Sequence, residues 1–262
     1  MLSVESVQRI EMSPGWRRHR VEILDVAEGR VVVKGQRPPR SAARFWLMSS
    51  LARVVRHPLL RPVPAPGGAA AQATELRRLQ ALARSGVPVP AVLHQAPDFI
   101  VLSHVDGVPL SALLTDTPEV ALPAFERGLR GLAQVHAAGQ YLSQAFARNM
   151  LLSDPGVVYL DFEDDPLEVM SLADAQARDW LAYLLSALWC VNVPRAQVLQ
   201  AWSEVQASIS VEVRQRIGGA IERLAWLRHL PNRRDPWGRN IISLQALADF
   251  LTDWHSSHSV SS

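Results

Sequence analysis

Arg30-Val31-Val32-Val33-Lys34-Gly35 is an apolar run closed by the only lysine of a chain that otherwise carries its basic charge on 26 arginines. Arginine replaces lysine wherever a surface charge suffices. It does not where a compact, flexible ammonium must reach one phosphate oxygen through a narrow gap. Taken alone, Lys34 reads equally well as a solvated strand end left by compositional drift. The run is rich in β-branched residues, and Arg20-Val21-Glu22-Ile23-Leu24 precedes it across a turn at Glu28-Gly29, so the pair predicts a β-hairpin.

Working outward, Ser41 to Leu60 has apolar residues at 45, 46, 48, 51, 54 and 55 among Arg44, Arg53 and Arg56, the spacing of a basic amphipathic helix. With Arg37, Arg40 and Arg61 around a Phe45-Trp46-Leu47-Met48 block, this segment has two readings: it lies on an anionic membrane, or its apolar side packs on the small lobe with the arginines in water. Pro58 to Gly68 holds four prolines and two glycines and reads as an irregular connection. Helical periodicity runs from Ala70 to Arg84, with Leu76, Leu79 and Leu82 on one side, and stops at Ser85-Gly86. Phe99-Ile100-Val101-Leu102 is a short buried strand. The remainder is mostly helical: 110–114, 123–138, 173–191, 195–208, 211–229 and 244–254. One exception is a hairpin of Asn149-Met150-Leu151-Leu152 and Val157-Val158-Tyr159-Leu160 around Asp154-Pro155-Gly156. The predicted fold class is therefore α+β in two lobes, a strand-rich lobe over residues 1–105 and a helical lobe over 106–262.

Composition narrows the function. At 262 residues and 48% hydrophobic content the chain can bury a sizeable core. One cysteine, Cys190, excludes an internal disulfide framework and a cysteine cluster for zinc, in keeping with a reducing compartment. The start Met1-Leu2-Ser3-Val4-Glu5 lacks the basic and apolar stretches of a secretory signal, and the longest apolar segment, about 14 residues, is short of the roughly 20 of a spanning helix. These features predict a cytoplasmic protein, at most peripheral to the inner face of the membrane. The net charge of +2 hides a division, with 15 basic and 6 acidic residues before position 85 against 12 and 19 after it. A basic front and acidic rear suit phosphate or an anionic surface on one side and a metal ion on the other. A nucleic-acid recognition motif is absent, as are a Gly-x-Ser-x-Gly elbow, a His-Glu-x-x-His pair and a Gly-x-x-x-x-Gly-Lys phosphate loop.

Phosphoryl transfer from a nucleotide needs a cation on the phosphates, an acid to hold that cation, and carboxylate and amide oxygens for magnesium. The chain offers Lys34, then Glu75 in Ala73-Thr74-Glu75-Leu76-Arg77, then Asn149 and Asp161 flanking the short hairpin. Leu132-Ala133-Gln134-Val135-His136-Ala137-Ala138-Gly139, Arg148-Asn149-Met150-Leu151-Leu152, Asp161-Phe162-Glu163 and Ala177-Arg178-Asp179-Trp180 follow in order. On these residues the chain, over roughly 20–190, resembles the protein-kinase-like superfamily, particularly bacterial atypical members such as the lipopolysaccharide core heptose and Kdo kinases.

The resemblance implies an ATP- and magnesium-dependent phosphotransferase acting on a glycolipid or other small hydroxyl substrate. It implies that Lys34 contacts the α- and β-phosphates and pairs with Glu75, that Asn149 and Asp161 hold Mg2+, and that the hinge at Ser103-His104-Val105 meets the adenine. His136 and Asp179 would be structural, with Asp179 bracing the catalytic loop. Two features depart from the pattern. Gln144 stands where the family places its catalytic aspartate, and the hairpin has only Gly29 where many kinases carry a glycine-rich loop. Glutamine orients a hydroxyl but does not take its proton, a contribution typically worth about 10²- to 10⁴-fold, so the alternative is a nucleotide-binding pseudokinase serving as regulator or scaffold. Residue by residue, duller accounts exist. Glu75 reads as an exposed helix residue paired with Arg77 or Arg78, and Asp161 to Asp165 as a solvated acidic turn.

Overall fold

The structure, a computed structural model, describes residues 2–38, 59, 61, 63–64, 67–154, 156–224, 229 and 239–259. Apart from Leu59, the helix expected over Ser41 to Leu60 lies outside the described residues.

The chain opens with two short helices, α1 (Val4–Met12) and α2 (Gly15–His19), followed by the hairpin β1 (Val21–Val26) and β2 (Gly29–Gly35). Helix α3 (Gly68–Arg84) leads to β3 (Val92–Gln95) and β4 (Phe99–Ser103). Together the strands make a four-stranded antiparallel sheet in the order β1-β2-β4-β3, with Lys34 opposite Val21 on one side and Ile100 on the other. Alternation along β2 sorts its side chains. Val31 and Val33 pack with Ile10, Trp16, Phe99 and Val101 beneath the N-terminal helices, while Val32, Ile100 and Leu102 face Leu76, Leu79 and Leu82 of α3. Lys34 shares the α3 face with Val32.

Beyond the sheet come β5 (Val108–Pro109), α4 (Leu110–Leu113) and α5 (Pro118–Ala137), then β6 (Met150–Leu152) and β7 (Val157–Tyr159). Strand β5 adds a third member to the expected hairpin, in the order β5-β6-β7. The lobe is completed by α6 (Leu172–Ala187), α7 (Arg195–Gln206), α8 (Val211–Leu224) and α9 (Arg239–Ser259). Its core centres on fully buried Trp180 and Trp202, whose rings meet edge-on at 5.5 Å, with Phe250 and Trp254 against Trp202. The observed class is the expected one: α+β, with an antiparallel sheet in front and helices behind.

Local differences have local causes. Helix α5 starts at Pro118, five residues before the expected start at Pro123; proline suits the first helical position, where no N–H is needed. Strand β3 is four residues long, follows a proline-rich stretch and carries a bulge between Val92 and His94, which blurs the period-2 signal. Helices α1 and α2 span nine and five residues, too short for periodicity to declare them. Among the described residues no helix is long and apolar enough to cross a membrane.

Candidate functional site

Lys34 points toward α3 because its neighbours in β2 point away from it. Its ammonium lies 2.6 Å from Glu75 Oε1, 3.0 Å from Asp161 Oδ1 and 3.1 Å from Glu163 Oε1. Helical spacing sets Glu75 on the inner side of α3 with Leu79 and Leu82, and it is only 3% exposed. Glu75 is therefore not a surface residue paired with Arg77 or Arg78. Nor is the acidic stretch a solvated turn: Glu163 is 3% exposed, and Asp165 accepts from Tyr141 Oη and pairs with Arg77 at 3.0 Å.

Asn149 and Asp161 occupy one end of the β6–β7 hairpin, where Leu160 N–H donates to Asn149 O at 2.9 Å. Asn149 Nδ2 donates to Gln144 O at 3.1 Å, and its amide oxygen accepts no hydrogen bond among the described residues. An amide oxygen and a part-exposed carboxylate at one hairpin end are hard donors suited to magnesium. Among the described residues no group of three or more His, Cys, Asp or Glu could hold a metal, so this pair would leave most positions around the ion to phosphate and water. Burial pushes the Asp161 carboxyl up, but Lys34, Arg20 and Arg37 outweigh it and hold the group below the usual carboxylate range.

Gln144 sits at the edge of this group with its amide turned elsewhere, Nε2 donating to Asp164 Oδ1 at 2.9 Å. The loop before it is fastened twice. Leu142 N–H donates to Asp179 Oδ2 at 2.7 Å, and the same oxygen lies 3.2 Å from His136 Nε2. Arg78, 5% exposed and one turn of α3 beyond Glu75, donates to Tyr141 O at 2.6 Å with its guanidinium 3.7 Å from the centre of the Tyr141 ring. One face of α3 thus holds both Lys34 and the backbone leading to Gln144.

The hinge residues differ among themselves. Ser103 N–H donates to Ala91 O at 2.8 Å and His104 N–H to Arg30 O at 3.3 Å. Val105 alone of the three makes no backbone hydrogen bond among the described residues.

Residue-by-residue reading of the sequence missed Glu163, Arg20 and Arg37. Glu163 pairs with Arg20 and Lys34 through Oε1 and with Arg37 Nη1 through Oε2 at 3.0 Å. The one available signal was an acidic residue in Asp161-Phe162-Glu163, where the resemblance leads one to expect Asp-Phe-Gly or a variant of it. The described non-glycine residues with left-handed φ are Arg20 (69°), Ser143 (66°) and Asp161 (69°). Such backbone is disfavoured for side chains with a Cβ and clusters at functional sites. Here Arg20 grips Glu163, Asp161 grips Lys34, and Ser143 precedes Gln144.

The site thus sets Lys34, Arg20 and Arg37 against Glu75, Asp161 and Glu163, beside the hard oxygen donors of Asn149 and Asp161. No protein-family model matches the chain, and no curated protein is significantly similar to it. The solved structures similar to it include the gentamicin complex of APH(2″)-IIa, at 12% identity over 96% of this chain and 99% of that one, with a TM-score of 0.44.

Proposed function

We propose that this chain is a kinase-like phosphotransferase that binds ATP with magnesium in the cleft at Lys34 and transfers phosphate to a hydroxyl of a small molecule or glycolipid. The observation that carries this reading is the meeting of Lys34, Glu75 and Asp161, brought from a strand, a helix and a loop more than 40 and 120 residues apart. Lys34 would take the non-reacting phosphates, Glu75 would hold it there, and Val105 would offer its free backbone groups to the adenine. Asn149 and Asp161 would hold magnesium, which when bound neutralises charge on the phosphates. Gln144 would orient the acceptor hydroxyl once its amide leaves Asp164. The arginines of residues 37–61 support an anionic membrane face or lipid-linked saccharide as partner, and the lone cysteine a cytoplasmic setting.

Gln144 also favours a second reading, a nucleotide-binding pseudokinase, because an amide there forgoes general-base catalysis worth about 10²- to 10⁴-fold. Thermal-shift titration with magnesium and ATP tests both. Wild type is expected to be stabilised, with the effect lost in Lys34→Ala and weakened in Lys34→Arg; absence of any shift in the wild type overturns both readings. Phosphate release from ATP then divides them. Turnover in the wild type supports the enzyme, whereas binding without turnover, with activity gained in Gln144→Asp, supports the pseudokinase.

A further inference from the structure

Lys34 has three N–H donors, and three carboxylates lie against them: Glu75, Asp161 and Glu163. A phosphate oxygen gains this ammonium only by displacing one of them. Glu75 is anchored on a helix, and Asp161 sits at the hairpin end with Asn149. Glu163 differs from both, because its carboxylate also engages Arg20 and Arg37, so one acidic group draws on three cations. It is 3% exposed, and the space left beside it and Lys34, bounded by Gly35, Gln72, Glu75 and Ile100, is about 10 Å³, room for one water at most.

We infer that Arg20, Lys34 and Arg37 form a polyphosphate site and that Glu163 is its built-in occupant, which must swing out before a triphosphate enters. The inference rests on the nucleotide reading of the cleft and adds to it two binding residues, Arg20 and Arg37, and a closed state. A triphosphate offers several anionic oxygens where Glu163 offers two, so displacement satisfies the same cations more fully. Arginine suits the outer positions, since its planar fork takes phosphate oxygens in pairs. Without a ligand, Glu163 compensates Arg20 and Arg37, the cations that Glu75 and Asp161 do not hold.

If the open form is the usual minor state of about 0.1 to 10%, removing the occupant raises apparent affinity by about 10- to 1,000-fold. Calorimetric titration of wild type and Glu163→Gln with inorganic tripolyphosphate, and separately with ATP and magnesium, tests this. Tighter binding of tripolyphosphate by Glu163→Gln, lost again when Arg20→Gln or Arg37→Gln is added, is expected. Equal or weaker binding by a folded Glu163→Gln overturns the inference, and if ATP still binds the wild type, the nucleotide reading stands without it. Gain for tripolyphosphate but none for ATP keeps the three-cation site and removes the nucleotide. A second measurement needs no variant: carbodiimide-driven amine labelling of wild-type carboxylates, read by mass spectrometry. Glu163 is expected to be protected alone and labelled once tripolyphosphate saturates the protein. Labelling of Glu163 that tripolyphosphate leaves unchanged overturns the inference even where Glu163→Gln fails to fold.

Discussion

Asp179 is fully buried, and one of its oxygens holds the loop that carries Gln144. Asp179→Ala leaves the Leu142 N–H, itself in a residue 2% exposed, without an acceptor, at about 1 to 3 kcal/mol. His136 loses its partner at 3.2 Å, for about 1 kcal/mol more, and the small cavity adds about 1 kcal/mol. Against this, Asp179 Oδ1 is buried with no hydrogen-bond partner, and removing it returns about 1 to 2 kcal/mol. The net is a loss of about 1 to 4 kcal/mol, or a fall in Tm of roughly 2 to 16 °C for a chain of this size. Asp179→Asn keeps an acceptor for Leu142 N–H and forgoes only the charge, so about 1 kcal/mol is expected. Thermal melts of both variants give the totals, and amide hydrogen exchange at Leu142 locates the effect, with protection falling in Asp179→Ala and retained in Asp179→Asn. Equal melting of the two variants, or unchanged exchange at Leu142, refutes the bracing role.

The N-terminal helix yields a pH prediction. Ser6 Oγ and Ser3 N–H donate to the Glu28 carboxylate at 2.6 Å each, lowering its pKa from 4.5 to about 2. The folded value lies below the unfolded one, so this tie is fully present above about pH 4.5 and is lost as the pH falls toward about 2. Carboxyl titration by NMR is expected to show it, with Glu28→Gln removing the pH dependence of the Ser3 and Ser6 amides; ordinary titration of Glu28 contradicts the tie. Gly35 follows Lys34 where the strand crosses Trp16, and a Cβ there would lie 3.0 Å from the Trp16 ring and 3.3 Å from its carbonyl oxygen. Gly35→Ala is expected to cost about 1 to 3 kcal/mol by overpacking, read as a lowered Tm with altered tryptophan fluorescence, and an unchanged Tm would mean that α2 gives way freely.

What the sequence disclosed divides by the range of the physics involved. The hairpin at Lys34, the leucine face of α3 and the buried strand at Phe99 are periodic patterns whose burial a local window reveals. Lys34, Glu75, Asn149 and Asp161 were legible as a set because the resemblance supplied their order, although composition alone marked only the lysine. Glu163 was not legible. A carboxylate next to a buried phenylalanine reads as surface until its partners are known, and Arg37 is 126 residues away. Arg20 comes from the left-handed end of a five-residue helix that periodicity did not declare. Burying that carboxylate requires all three cations at once, and no sequence window contains them.

Gln144 and Glu163 bear on two different properties of one site. The amide of Gln144, where the resemblance leads one to expect a base, would lower the capacity to move a proton, while Glu163 neutralises Arg20, Lys34 and Arg37. Glu163 favours a resting state in which the lone lysine is fully engaged by the protein itself. Under the proposed function, polyphosphate binding and catalysis would be separable: changing position 163 should alter how tightly an anion is held, and changing position 144 should alter whether a phosphate leaves it. Affinity gained in Glu163→Gln with turnover unchanged from the wild type, and turnover raised when Gln144→Asp is added, is the pattern this division requires. A single substitution that produced both would show the two positions acting as one unit.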